Sequence, residues 1–193
     1  MSKALVLFSD KGVAGTSLSE VAKAAGVTRG AIYWHFKNKW DLFDAIWQLY
    51  SAPVNVLGEA SESEDEHDPL GRLRDLLTLL LTSVEQDESF RRVIIICIHE
   101  SMVKRAQDIP GPMQLLLNSL HERRVRTIRN AQSKGQLPAD IDAEAGSLMM
   151  KVMIEGLIMT WLQKPECFSL SERADQFVSS VIAVLQYGVR QQP

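Results

Sequence analysis

Apolar residues recur every three to four positions along nearly the whole chain, and Gly and Pro fall mostly between these stretches. That spacing predicts helices throughout, an all-α fold. Ser17 followed by Glu20 reads as a capping box opening a short helix from about Leu18 to Ala25, with Leu18, Val21 and Ala22 inward and Gly26 ending it. Val27 is expected to turn inward, and Thr28 suits the cap of a second short helix that stops before "KNK". Asn38 with Asp41 opens a third, whose apolar face is Leu42, Phe43, Ile46 and Trp47. Five further stretches are expected at roughly 69–85, 88–106, 111–134, 142–163 and 170–189. "VIIICI" at 93–98 is rich in β-branched residues, but no second strand stands ready to pair with it, so it reads as buried helix.

The polar, acidic segment "GEASESEDEHDP", 58–69, reads as a loop or weak helix end that separates two halves. The expected division is a head, residues 1–51, and a body, residues 52–193. Net charge is −3, which alone argues weakly against a nucleic-acid partner, but its distribution is uneven. The head holds six basic and four acidic residues, the remainder 15 basic and 20 acidic. A basic-leaning head on an acidic body fits an anionic partner for the head. No run of 18 or more apolar residues occurs and "MSKALVLF" is too short for a secretory signal, so a cytoplasmic protein with no membrane partner is expected. Cys97 reads as a buried thiol. His35, His67, His99 and His121 lack metal-ligand spacing, and neither C-x-x-C, a P-loop nor G-x-G-x-x-G occurs. No enzyme, metal or cofactor is therefore expected.

In "GVTRGAIYWHF", 26–36, a helical wheel puts Ala31, Ile32, His35 and Phe36 toward a packing side. It puts Arg29, Gly30, Tyr33 and Trp34 on the opposite arc. Two short helices joined by a glycine turn form a helix-turn-helix, whose second helix enters the major groove. Arg29 can bond guanine O6 and N7 together, Gly30 lets the backbone approach DNA, and Tyr33 and Trp34 offer polar tips and flat apolar surface. Ser17, Thr28 and Lys39 stand at helix N-termini, where phosphate is favoured. The competing reading packs Tyr33 and Trp34 against a neighbouring domain or a dimer partner and leaves Arg29 solvated.

"TSLSEVAKAAGVTRGAIYWHFKNKWDLF", Thr16 to Phe43, resembles the DNA-binding head of the TetR/AcrR family of bacterial repressors, within it the branch that controls multidrug efflux pumps. "ASESEDE", "DPLG", "GQLPADIDAE" and "EGLIMTWL" extend a weaker likeness over most of the chain. The resemblance implies phosphate contacts from Thr16 or Ser17, Thr28, Tyr33, His35 and Lys39, and base contact near Arg29 and Gly30. The family has a longer, basic first helix before the segment matching "ALVLFSDKG"; here about ten residues, including Lys3, are expected to form it.

A sensor body should enclose an apolar cavity with a few polar groups. The candidates are Leu73, Leu76, Leu77 and Leu80 at i, i+3, i+4 and i+7, then Ile94, Ile98, Leu120, Met150, Ile154 and Glu155. Most of these stripes also read as plain core. Glu155 among apolar neighbours must face solvent, pair with a base or meet a ligand, and the resemblance favours the ligand, since an acid before "GLI" borders the drug pocket in efflux-type members. Where some members carry Asn and His, this chain has Ile94 and Ile98, which predicts a greasier site with adaptable methionines. His99 is expected in a structural hydrogen bond. Val152, Leu157, Trp161, Phe177, Val181, Val184, Leu185 and Tyr187 give the last two helices surplus apolar surface, and by resemblance these form a four-helix bundle with a second copy. The expected function is a ligand-responsive repressor, acting as a homodimer on a palindromic DNA operator and released by an amphipathic or aromatic effector. The alternative is a DNA-bound protein-interaction module of the same fold with no small-molecule effector.

Overall fold

The computed structural model describes residues 1–102, 108–188 and 190. Its helices, in chain order, are α1 Ser2–Lys11, α2 Leu18–Ala25, α3 Arg29–His35, α4 Lys39–Glu62 and α5 Pro69–Gln86. Then come α6 Glu88–Met102, α7 Gly111–Ser133, α8 Ala143–Gln163, a 3-10 turn at Pro165–Cys167 and α9 Ala174–Tyr187. Among the described residues the β pairing is a single isolated bridge, Ile141 to Arg190. "VIIICI" lies within α6, as its missing strand partner requires. The parts of the expected helices at 103–106 and at 189 lie outside the described residues.

Two compact units form. The first joins Met1–Ala52 with Asp87–Leu117, the second joins Pro53–Gln86 with Asn118–Pro193. Asp87–Leu117, expected in the body, therefore clusters with the head: α6 packs on α1, where Arg92 donates to the Ser9 hydroxyl at 3.3 Å and faces Asp10 at 3.7 Å. The core of this unit buries Leu5, Phe8, Leu18, Val21, Ile32, Leu42, Phe43 and Ile46. Phe8 meets Phe43 edge-on at 6.2 Å between ring centroids.

α4 is longer than the composition of 58–69 implied. It runs through Pro53 to Glu62, and its last turns are held from within the second unit. Ser61, buried, shares a hydrogen bond with Thr127 at 3.0 Å, and the Asn130 amide donates to the carbonyls of Ser61 and Ser63 at 3.2 and 2.7 Å. Arg126 donates to Glu62 at 2.6 Å. Those side chains supply what a polar sequence cannot supply locally, so the helix persists where a loop was expected.

In the second unit α5 packs on α9, and Leu73, Leu77, Leu81 and Val84 form the buried row of α5. Met150, Ile154, Ile158 and Trp161 are the buried row of α8. α8 is long and apolar enough to cross a membrane by length and composition, with a mean hydropathy of 1.3 and a third of its apolar window buried. It reaches that value although no unbroken apolar run exists, because apolar residues occupy its outer side as well as its inner one.

Candidate functional site

The head presents two short capped helices. Ser17 Oγ accepts from the Glu20 N–H at 3.2 Å while the Glu20 carboxylate accepts from the Ser17 N–H and hydroxyl, each at 2.8 Å. These bonds, with Lys11 at 3.2 Å, hold the Glu20 carboxyl at a pKa of about 2. Gly26, at φ 69°, closes α2 in the left-handed conformation that a residue with a Cβ rarely adopts. Thr28 Oγ1 accepts from the Ala31 N–H at 3.2 Å and so caps α3. Asn38 Oδ1 accepts from the N–H groups of Trp40 and Asp41, and Asp41 accepts from the Lys37 N–H.

α3 is seven residues long and buries only Ile32. Arg29, Gly30, Tyr33 and Trp34 are all exposed, Trp34 at 82%. The expected packing side is narrower than the wheel implied: Ala31 and His35 are exposed, Phe36 is half-buried, and Val27, expected inward, is exposed at 47%. A two-turn helix resting on one side chain leaves the remainder free. His35, which the wheel placed toward the core, stands outside with its ring edge-on to Trp34 at 4.6 Å. A Cβ on Gly30 would meet nothing closer than Thr28 Oγ1 at 4.0 Å, so packing within the chain does not require glycine there.

Thr16 and Ser17 divide. Thr16 is buried and its hydroxyl donates to the Gly12 carbonyl at 2.9 Å, a structural bond that withdraws it from any external phosphate. Ser17 is exposed at the N-terminus of α2. The Lys39 ammonium, at the first residue of α4, donates to the Ala14 carbonyl and ties that helix to the loop before α2.

The effector candidates are drawn from both units. Ile94 and Ile98 are buried in the first unit, whereas Leu73, Leu76, Leu77, Leu80, Leu120, Met150, Ile154 and Glu155 belong to the second. Leu73, Leu77, Met150 and Ile154 are buried core; Leu76, Leu80 and Leu120 keep part of their surface. Glu155 takes a base, accepting from Lys151 Nζ at 2.6 Å. The i, i+4 spacing of Lys151 and Glu155 is a sequence signal for that pair. His99, expected in a structural bond, is exposed. Cys97 is buried as expected, and Cys167 is exposed.

Sequence reasoning missed a polar seam between α7 and α8. His121 Nε2 pairs with Glu144 at 2.9 Å and its Nδ1 with Ser147 Oγ at 2.9 Å, while Arg124 Nε donates to the same Ser147 oxygen at 3.1 Å. Burial lowers the Arg124 pKa, against the attraction of Glu155. Only the fold reveals this cluster, because its partners lie more than 20 residues apart in sequence.

Trp161, Val181 and Leu185, expected on a partner surface, are buried in their own chain, where α8 and α9 pack together. The apolar face left outside is Leu148, Met149 and Val152 on α8 and Tyr187 on α9. Beside it, Val152, Met153, Gly156, Leu157, Thr160 and Phe177 line an open groove of about 570 Å³.

Residues 1–46 match the tetR family of bacterial regulatory proteins, and residues 68–187 match the C-terminal region of the MAATS-type transcriptional repressors. The chain belongs to the TetR family. This TetR-family regulator is 38% identical over 186 residues to the HTH-type transcriptional regulator AcrR of Shigella flexneri, covering 93% of this chain and 84% of that one. It is 36% identical over 180 residues to TtgR of Pseudomonas putida, covering 93% and 86%. Among solved structures it resembles NalD, the secondary repressor of the MexAB-OprM multidrug efflux pump in Pseudomonas aeruginosa. The TM-score is 0.74 and the identity 27%, over 97% of this chain and 94% of that one. A complex of SmeT with triclosan shares the fold, with a TM-score of 0.77 at 24% identity over 99% and 94%.

Proposed function

We propose that this TetR-family repressor binds a palindromic operator as a homodimer, controls a multidrug efflux operon, and leaves the operator when an amphipathic or aromatic molecule binds its body. The observation that carries the reading is α3: a capped two-turn helix with Arg29, Gly30, Tyr33 and Trp34 all facing out. Such a face suits the major groove, with Arg29 reading bases and Ser17, Thr28, Tyr33, His35 and Lys39 toward the backbone. Two copies place two such helices about 34 Å apart, one helical turn of DNA. A DNA reader of this kind works in the cytoplasm. Its partners are operator DNA, a small effector and a second copy.

NalD, a repressor of a multidrug efflux pump, and SmeT in complex with triclosan support an efflux target and a drug-like effector. Release requires the effector to favour one conformation over another, at about 1.4 kcal/mol per tenfold loss of operator affinity. α4 is the element for transmitting it, since its residues near Leu49 to Leu57 cross from one unit to the other.

The test is a titration at fixed salt against DNA upstream of the protein's own gene, with and without a panel of amphipathic antimicrobials. Specific binding relieved by some compounds is expected. Tight drug binding that leaves operator affinity unchanged would overturn the release mechanism.

A further inference from the structure

Arg124 has an unusual position in the second unit. It stands on α7 between Leu120 and Ile128, one turn from each, and among the described residues its hydrogen bond is a single one, from Nε to Ser147 Oγ at 3.1 Å. Among the described residues no carboxylate lies within 4.0 Å of its guanidinium. The acid that attracts it, Glu155, is already engaged by Lys151 at 2.6 Å. Glu144, at the other end of the seam, is engaged by His121 at 2.9 Å and by Arg129 at 3.2 Å. Along the seam each carboxylate is thus already paired, and Arg124 has none at ion-pair distance among the described residues.

A guanidinium partly withdrawn from water favours a counter-charge, and its planar fork of donors matches a carboxylate better than any neutral group. Ser147 and His121 fix its orientation. If Nε2 of His121 carries the proton toward Glu144, then Nδ1 accepts from the Ser147 hydroxyl, and Ser147 Oγ accepts from Arg124. The Nε edge is thereby occupied and the terminal nitrogens remain for a partner. Leu120 stands one turn before Arg124 on the same helix.

We infer that Arg124 is an anion-recognition residue of the effector site, so that the effectors held best are aromatic or amphipathic organic acids, whose carboxylate pairs with the guanidinium. The inference rests on the effector reading above and adds the charge of the ligand to it. The positively charged Lys151–Glu155–Arg124 row selects against cationic amphiphiles, because a cation would have to compete with Lys151 for Glu155.

The experiment is calorimetric titration of the full chain with three probes that differ only in their polar group: biphenyl carboxylate, biphenyl methanol and biphenyl methylamine. The carboxylate should bind roughly tenfold or more tighter than the alcohol, the margin of a charge-assisted pair over a neutral one. Arg124→Gln should abolish that margin while leaving the alcohol's affinity unchanged, and Arg124→Lys, which keeps the charge without the fork, should retain part of it. Circular dichroism and melting of both variants identify any loss of fold. Equal affinity for carboxylate and alcohol, a preference that survives Arg124→Gln, or a parallel loss for all three probes would each overturn the proposal. Operator release is read in the same samples: release by the alcohol or amine with no preference for the acid sinks the anion site and leaves the effector reading standing.

Discussion

Gly30 separates the demands of folding from those of DNA. It lies in the first turn of α3, where glycine weakens a helix, and a Cβ there has open space within the chain. Gly30→Ala should therefore stabilise the free protein, by about 0.5–1 kcal/mol at most, and yet weaken operator binding if the backbone must approach the duplex closely. Thermal melting and operator titration of the same variant check both signs; an alanine that leaves operator affinity intact would remove Gly30 from the interface. Arg29 and Lys39 divide by a different criterion. Arg29→Ala should relax base preference, with a loss of roughly 1–3 kcal/mol on the preferred sequence. Lys39→Ala should weaken specific and random DNA alike and flatten the salt dependence by about one unit. Titrations on both kinds of DNA at several salt concentrations distinguish them, and identical losses for the two variants would contradict the division of roles.

The α2 capping box carries a prediction in pH. Glu20 is held at about 2 against an ordinary value of 4.5, mainly by the Ser17 N–H and hydroxyl and then by Lys11. A depressed carboxyl contributes stability that is fully present above its ordinary pKa and is lost as pH falls through the folded value. The head should therefore weaken as pH falls from about 4.5 to about 2, and Glu20→Gln should flatten that part of the acid-unfolding curve when followed by circular dichroism. A curve unchanged by the substitution would mean that the box adds nothing. The same box explains how much could be read in advance. Ser17, Glu20, Thr28 and Asn38 act on neighbours two or three residues away, so the starts of α2, α3 and α4 were written locally in the sequence. The end of α4 was not, because Ser61 and Glu62 are held by Thr127, Asn130 and Arg126, more than 60 residues on. His35 was misplaced for another reason: a wheel assumes that a helix has a buried side, and α3 has a single buried residue. The α7–α8 seam combines both obstacles, since it needs two helices in register and polar groups that look scattered along the chain.

At the scale of the whole molecule, α8 is the helix whose composition exceeds what its own chain can use. Only a third of its apolar window is buried, and Leu148, Met149 and Val152 face outward, beside a groove that continues toward Phe177. A helix apolar on two sides is covered by lipid or by protein. The Lys151–Glu155 pair and the Glu144 cluster lie along the same helix and favour protein, and the second copy proposed above would cover that face. Val152 is 62% exposed, so Val152→Glu should change the folding of an isolated subunit by no more than about 0.5 kcal/mol. In a dimer seam the same change puts an unpaired carboxylate on each side of a two-fold axis, where like charges repel and neither is solvated. Sedimentation should find the variant as a monomer with its helix content intact, and its melting should lose the concentration dependence that a dimer shows. Operator affinity should fall steeply at the same time, because a palindrome then has to be bound by two independent heads rather than by a linked pair. A variant that stays dimeric would move the interface off α8, and one that is monomeric yet binds the operator undiminished would remove the need for paired heads.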